Sequence, residues 1–376
     1  MYINGIKPST KGLLKLLTMQ VVTNWTEFFS RSYTLAECTT LEHGDPNNSE
    51  LLCKTPKVLG ILTAYVFPPI GVFNLIANTL ITIAFLYPSC RNSRHLIFLG
   101  VLALCDIGIT ITVGWLGLFP TYGLPYAASG RVYYFILTRS SISCKLITFY
   151  QAFCCILRGN LFVLTGNDRC ILMYKPMLYK QVSKYPIWIL LVFVSITAFL
   201  MTLPIVLYTD VLSIFNFTTC WYTSHHNLLQ LYQSLFSNTC LAQLSVVTVF
   251  DVFYLVKMIK WSRDHRQRSN DLQSSLEMMK HISSTITLLL LHITALLSAL
   301  PSGICVLLTT IVFYRTWKLP VELIRLTALI VSIEWLFLFL LSSLNIFIFY
   351  ARIQRFQEVV RSLIVFNLVK KTSITR

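Results

Sequence analysis

Seven long apolar runs, at 58–87, 96–120, 141–171, 185–208, 229–259, 279–313 and 320–350, constrain this 376-residue chain more than anything else in it. Each is long enough to cross about 30 Å of hydrocarbon as a helix, some with tilt or an extension beyond the bilayer. Their length favours helices over the short alternating strands of a membrane β-barrel. Charged residues make up only 12% of the chain and mean hydropathy is +0.66, so the apolar matter is no local anchor. The expected fold is an all-α membrane protein, a seven-transmembrane helix bundle closed by a short amphipathic C-terminal helix. No repeat or second soluble domain interrupts it. The chain divides into a tail at 1–57, the bundle at 58–350, and a helix and tail at 351–376.

The third run is the most informative. CKLITFYQAFCCILRGNLFVLTGNDRCILMYKP spans Cys144 to Pro176, with Asp168-Arg169 near its far end. From Cys144 to Arg169 is about 37 Å at 1.5 Å per residue, so the two ends lie on opposite sides of a bilayer. Arg158 sits between them, at a depth where hydrocarbon makes a charge costly.

Orientation follows from the basic residues. With the N-terminus outside, 18 of the 31 Lys and Arg residues fall on the inner side, and the outer stretch 209–228 has none. The same orientation puts three N-glycosylation sequons, at Asn24, Asn47 and Asn216, on the outer side. It also places Cys38, Cys53, Cys144 and Cys220 in an oxidising compartment, where Cys38 and Cys53 could pair. The net charge of +16 is then mainly a face toward anionic lipid and an acidic partner, not a nucleic-acid site. The run at 13–22 is a poor secretory signal, because Lys15 interrupts it and no small-residue cleavage site follows.

In order and spacing, these features resemble the rhodopsin-like G-protein-coupled receptors over about residues 58 to 363. Asn78 in IANTLITIAFL matches the family's first-helix asparagine, and Asp106 in LALCD its buried aspartate 28 residues later. Cys144 and Asp168-Arg169 bracket the third helix, with Cys170 in place of the DRY tyrosine. Pro301 in SALP stands where the family has CWxP. SSLNIFIFYARIQRF resembles NPxxY, keeping Asn345 and carrying Phe349 and Tyr350 near the tyrosine position. Phe356, 11 residues past Asn345, matches the aromatic after the last span. WLGLFPTYGLPYA and SSLNIFIFYARIQRF also resemble invertebrate FMRFamide-receptor-like sequences, in particular an orphan branch from flatworms.

The resemblance implies a receptor at the plasma membrane that binds an extracellular ligand and activates a heterotrimeric G protein. It implies a Cys144–Cys220 disulfide pinning the outer loop over the bundle mouth. Asp168, Arg169, Pro301, Asn345, Phe349 and Tyr350 become the activation switch. His281 occupies the place of an acidic tether, so a weaker inactive-state lock is expected. Arg158 falls on the third-helix position that usually helps Asp106 bind sodium. An Asp106–Arg158 ion pair replacing that sodium is therefore expected, with Asn78, Ser342 and Asn345 nearby, since either charge alone is costly.

The amine-binding aspartate position of aminergic receptors holds Gln151, and the retinal-lysine position of opsins holds Phe339. A biogenic amine and a photopigment are thus disfavoured. Tyr150, Gln151, Ser302, Glu334 and Trp335 are the candidate ligand contacts, and a long outer loop at 121–140 suits a peptide. A transporter would show repeated halves, and none is apparent. No metal-ligand spacing, cofactor motif or catalytic set accompanies His292, which reads as a satisfied polar contact rather than an enzyme's residue. The remaining cysteines (Cys90, Cys105, Cys154, Cys155, Cys170, Cys240 and Cys305) read as reduced packing residues.

Overall fold

The computed structural model describes residues 50–86, 94–129, 132, 139–182, 186–214, 217–222, 227–238, 240–268, 289–308, 311, 321–353 and 356–361. Among them, seven helices are long and apolar enough to cross a membrane. They are α1 (Cys53–Leu86), α2 (Leu96–Ala127), α3 (Ser141–Tyr174), α4 (Ile187–Leu207), α5 (Leu241–Arg268), α6 (Leu289–Leu308) and α7 (Val321–Arg352). Helices are what such sequences must form, because every backbone N–H and C=O in hydrocarbon needs an internal partner. The chain is a multi-pass seven-helix bundle.

α3 is the central strut, packing against α2, α4 and α5. Its start is fixed by Ser140, whose extended backbone lets the hydroxyl accept from the Ser143 amide at 3.0 Å. Its end comes at Lys175, before Pro176, whose ring disfavours helix in the preceding residue. α1 packs on α2 and α7, and fully buried Phe67, Phe85, Phe162 and Phe339 fill the space between helices. Phe339 is enclosed by aromatics, with its ring 5.6 Å from Phe67 and 6.3 Å from Trp335. Packing of this kind, rather than a hydrophobic drive, holds helices together in lipid.

Gly108 on α2 sets the approach of two helices. A Cβ there would sit 2.7 Å from Cys154 Sγ on α3, so a larger residue would force the Cys154 side chain or the helices that carry Asp106 and Arg158 to shift.

The structure departs from the expected boundaries at three places. α2 runs on through a π-helical stretch (Thr110–Gly123) to Ala127, so the outer loop is shorter than 121–140. The fifth run is not one helix from 229 to 259. It is a short helix (Asn227–Gln233), a π turn (Ser234–Asn238) and then α5, with Cys240 at φ 51° before α5. Hydropathy reads the apolar run but not the backbone break inside it. Between α4 and that short helix lies an antiparallel hairpin, β1 (Thr209–Ile214) and β2 (Phe217–Tyr222), pairing Val211 with Cys220. Residues 356–361 are helical after α7, and the buried Phe356 packs on Phe85 and Phe349 with ring centroids 5.3 and 6.4 Å away.

Candidate functional site: a polar core between a disulfide and an Asp-Arg pair

The disulfide joins Cys144, at the start of α3, to Cys220 on β2, with Cα atoms 5.6 Å apart. It clamps the hairpin to one end of the strut. A second tie runs from Lys145 Nζ to Asp210 Oδ2 at 3.3 Å. The Ser141 hydroxyl, the Val211 amide and Lys145 hold the Asp210 carboxyl below its usual range. Cys53 is disulfide-bonded, while Cys38 lies outside the described residues. So do Asn24, Asn47, Asn216, Cys90 and His281. Cys105, Cys154, Cys155, Cys170, Cys240 and Cys305 are not in disulfides.

Midway along α3, Arg158 Nε donates to Asp106 Oδ1 at 2.7 Å, with the two residues 8% and 2% exposed. The guanidinium also lies over the Phe162 ring, 4.8 Å from its centroid. Asp106 Oδ2 accepts from the Ser342 hydroxyl at 2.6 Å, and Ser342 in turn accepts from Asn78 Nδ2 at 3.0 Å. Asn78 Nδ2 reaches the Asn74 carbonyl at 3.1 Å. Asn74 donates to the Phe339 carbonyl at 2.6 Å and accepts from Thr110 at 2.7 Å. One connected network thus ties α1, α2, α3 and α7. Asn345 lines the small cavity beside Asp106 and Arg158.

Asn74 and Thr110 were not anticipated from sequence. The signal was there: each stands four residues from a network member (Asn78 and Asp106), hence on the same helix face one turn away.

At the other end of α3, Asp168 lies 3.8 Å from Arg94, in the helical turn that leads into α2, a loose ion pair with both side chains mostly buried. Sequence reading counted Arg94 only as a basic loop residue. Arg169 is surrounded by Asp168, Tyr179 and buried Tyr254, and Arg94 reaches over the Tyr179 ring at 6.0 Å. Phe349 is buried against Phe85 at 5.2 Å, whereas Tyr350 is 41% exposed. Pro301 is exposed on α6.

A second buried polar set joins α3, α5 and α6. His292 Nδ1 meets Asp251 Oδ2 at 2.9 Å and its Nε2 faces Thr165 Oγ1 at 3.4 Å. His292 is a satisfied contact, as expected; its partner Asp251 was missed. An ionisable residue inside a span calls for a partner, so Asp251 and His292 could have been matched from sequence.

The candidate ligand contacts divide. Glu334 and Trp335, each 5% exposed, line one water-sized cavity with Arg158, and buried Ser302 neighbours the Glu334 carboxyl. Tyr150 instead is 48% exposed and lies over Gly108 of α2. Gln151 is half-buried and is not among the residues lining that cavity.

No protein-family model matches the chain, and no curated protein matches it.

Proposed function

We propose that this chain is a plasma-membrane receptor of the rhodopsin-like kind, with its N-terminus outside, that binds an extracellular peptide and activates a heterotrimeric G protein. The observation that carries this reading is the layout along α3. A disulfide-clamped hairpin caps one end, an Asp168-Arg169 pair stands at the other, and a charged network links four helices between them. A static structural helix needs only packing. Buried charge at mid-depth is costly and marks function by default.

In this reading the hairpin and the Glu334–Trp335 region face the ligand. The Asp106–Arg158 pair is a built-in counter-ion where related receptors hold sodium. Arg169 faces the G protein, and the basic inner surface also meets anionic lipid. The chain is not read as an enzyme and needs no cofactor.

Cells expressing the chain, challenged with a neuropeptide panel, test the reading. A calcium response that requires the chain supports it; uptake of a solute without G-protein activation points to a transporter instead. Orientation is tested separately. An endoglycosidase mobility shift, lost when Asn24, Asn47 and Asn216 become Gln, reports an outside N-terminus.

A further inference from the structure

Beside Arg158, on the side away from Asp106's partner Ser342, a cavity lies between α3, α6, α7 and the break before α5. Its polar walls come from Arg158, Asn238, Ser298, Glu334, Trp335 and the thiol of Cys240. Among the described residues, Glu334 Oε2 has no hydrogen-bond partner, although the residue is only 5% exposed. A buried carboxylate oxygen without a donor is unfavourable.

Asp106, Arg158 and Glu334 line this cavity and the one beside it, and the guanidinium hydrogen-bonds Asp106 at 2.7 Å. A guest with one positive charge would donate to the unpartnered Glu334 oxygen and balance its carboxylate.

Size and chemistry narrow the guest. The cavity has room for about one water-sized group, which admits an ammonium and excludes a planar guanidinium. A metal cation is disfavoured, because hard ions need several oxygen ligands and the walls supply few beside a resident arginine. An indole, here Trp335, is the best aromatic partner for an ammonium.

Cys240 sits at φ 51°, where a non-glycine residue is strained, and the nearby buried Ser237 Oγ and Gln243 Oε1 have no hydrogen-bond partner among the described residues.

We propose that this cavity is a subsite for an alkylammonium group of the extracellular ligand, the chemistry of a lysine side chain, with Glu334 as its counter-charge. The origin of the guest rests on the receptor reading. The cavity itself is tested without signalling, so the two can fail separately.

The probe is n-butylammonium, added to the purified full chain in lipid nanodiscs while thermal unfolding is followed. Neutral n-butanol, bulky tetramethylammonium and sodium are the controls. At ten times its dissociation constant, n-butylammonium should raise the melting temperature by about 2 °C, and the controls should not. Glu334→Gln should abolish the shift. Ala299→Val, which narrows the cavity while keeping the carboxyl, should abolish it too, and it carries the test if Glu334→Gln does not fold. No shift in the wild type, an equal shift with n-butanol or tetramethylammonium, or a shift that survives in these variants overturns the proposal.

Discussion

Removing Arg158 alone should harm this protein more than removing both members of its ion pair. In Arg158→Met the side chain keeps much of its length and apolar contact with Phe162 while the charge is lost. Asp106, 2% exposed, then keeps the Ser342 hydroxyl at 2.6 Å but loses the charged partner it has among the described residues, 2.7 Å away. Breaking a buried pair from one side typically costs about 3–5 kcal/mol, whereas replacing both partners with well-packed neutral groups is often near neutral. Asp106→Asn in the same chain retains an acceptor for Ser342 and leaves no buried charge. The single variant should therefore melt on the order of 10 °C below the wild type, and the double variant should recover at least half of that loss. Buried free thiols at Cys105, Cys155 and Cys240 supply the assay, because a thiol-reactive fluorophore reports when they become exposed. Unfolding in detergent is commonly irreversible, so all variants are compared at one heating rate. A double variant as unstable as Arg158→Met, or worse, would refute the argument that charge balance governs this site.

Three further outcomes follow from the same geometry. Millimolar sodium should leave ligand affinity unchanged, since the guanidinium already neutralises Asp106; strong modulation in a radioligand titration would contradict this. Cys220→Ser should free the hairpin from α3, lowering stability by about 2–4 kcal/mol and weakening ligand binding, with melting and surface-expression measurements as the check; unchanged values would show that the Lys145–Asp210 contact suffices alone. Asp251→Ala leaves His292 buried without its carboxylate partner, a loss of about 1–3 kcal/mol, whereas Asp251→Asn retains an acceptor and should cost less; a thermal-shift comparison in which the two variants behave alike would argue against the contact.

What could be read in the sequence was what the bilayer dictates. Helix number and approximate position follow from the need to satisfy backbone groups in hydrocarbon. The Asp106–Arg158 pairing follows from the resemblance, which puts both residues at one depth, together with the cost of either charge alone. What escaped depends on backbone geometry and on contacts with no periodic signature. The break at Cys240 lies within a run whose composition suits one helix. The β1–β2 hairpin occupies 209–222, which reads simply as a loop. Arg94 could be assigned to a loop but not aimed at Asp168, because only the packing of α2 on α3 brings its long side chain there. Tyr150 and Gln151 adjoin one another on α3 and therefore point in different directions, so a shared role in the Glu334 cavity could not be read from their adjacency.

The central claim is that the Asp168-Arg169 end of α3 engages a G protein. It is tested most directly by nucleotide exchange on purified heterotrimeric G proteins mixed with the chain in lipid vesicles. The account predicts basal exchange above that of empty vesicles, because no acidic tether stands at His281, and loss of that exchange in Arg169→Ala with the fold intact. Exchange no faster than in empty vesicles for every G-protein subtype, with or without an activating peptide, would contradict it.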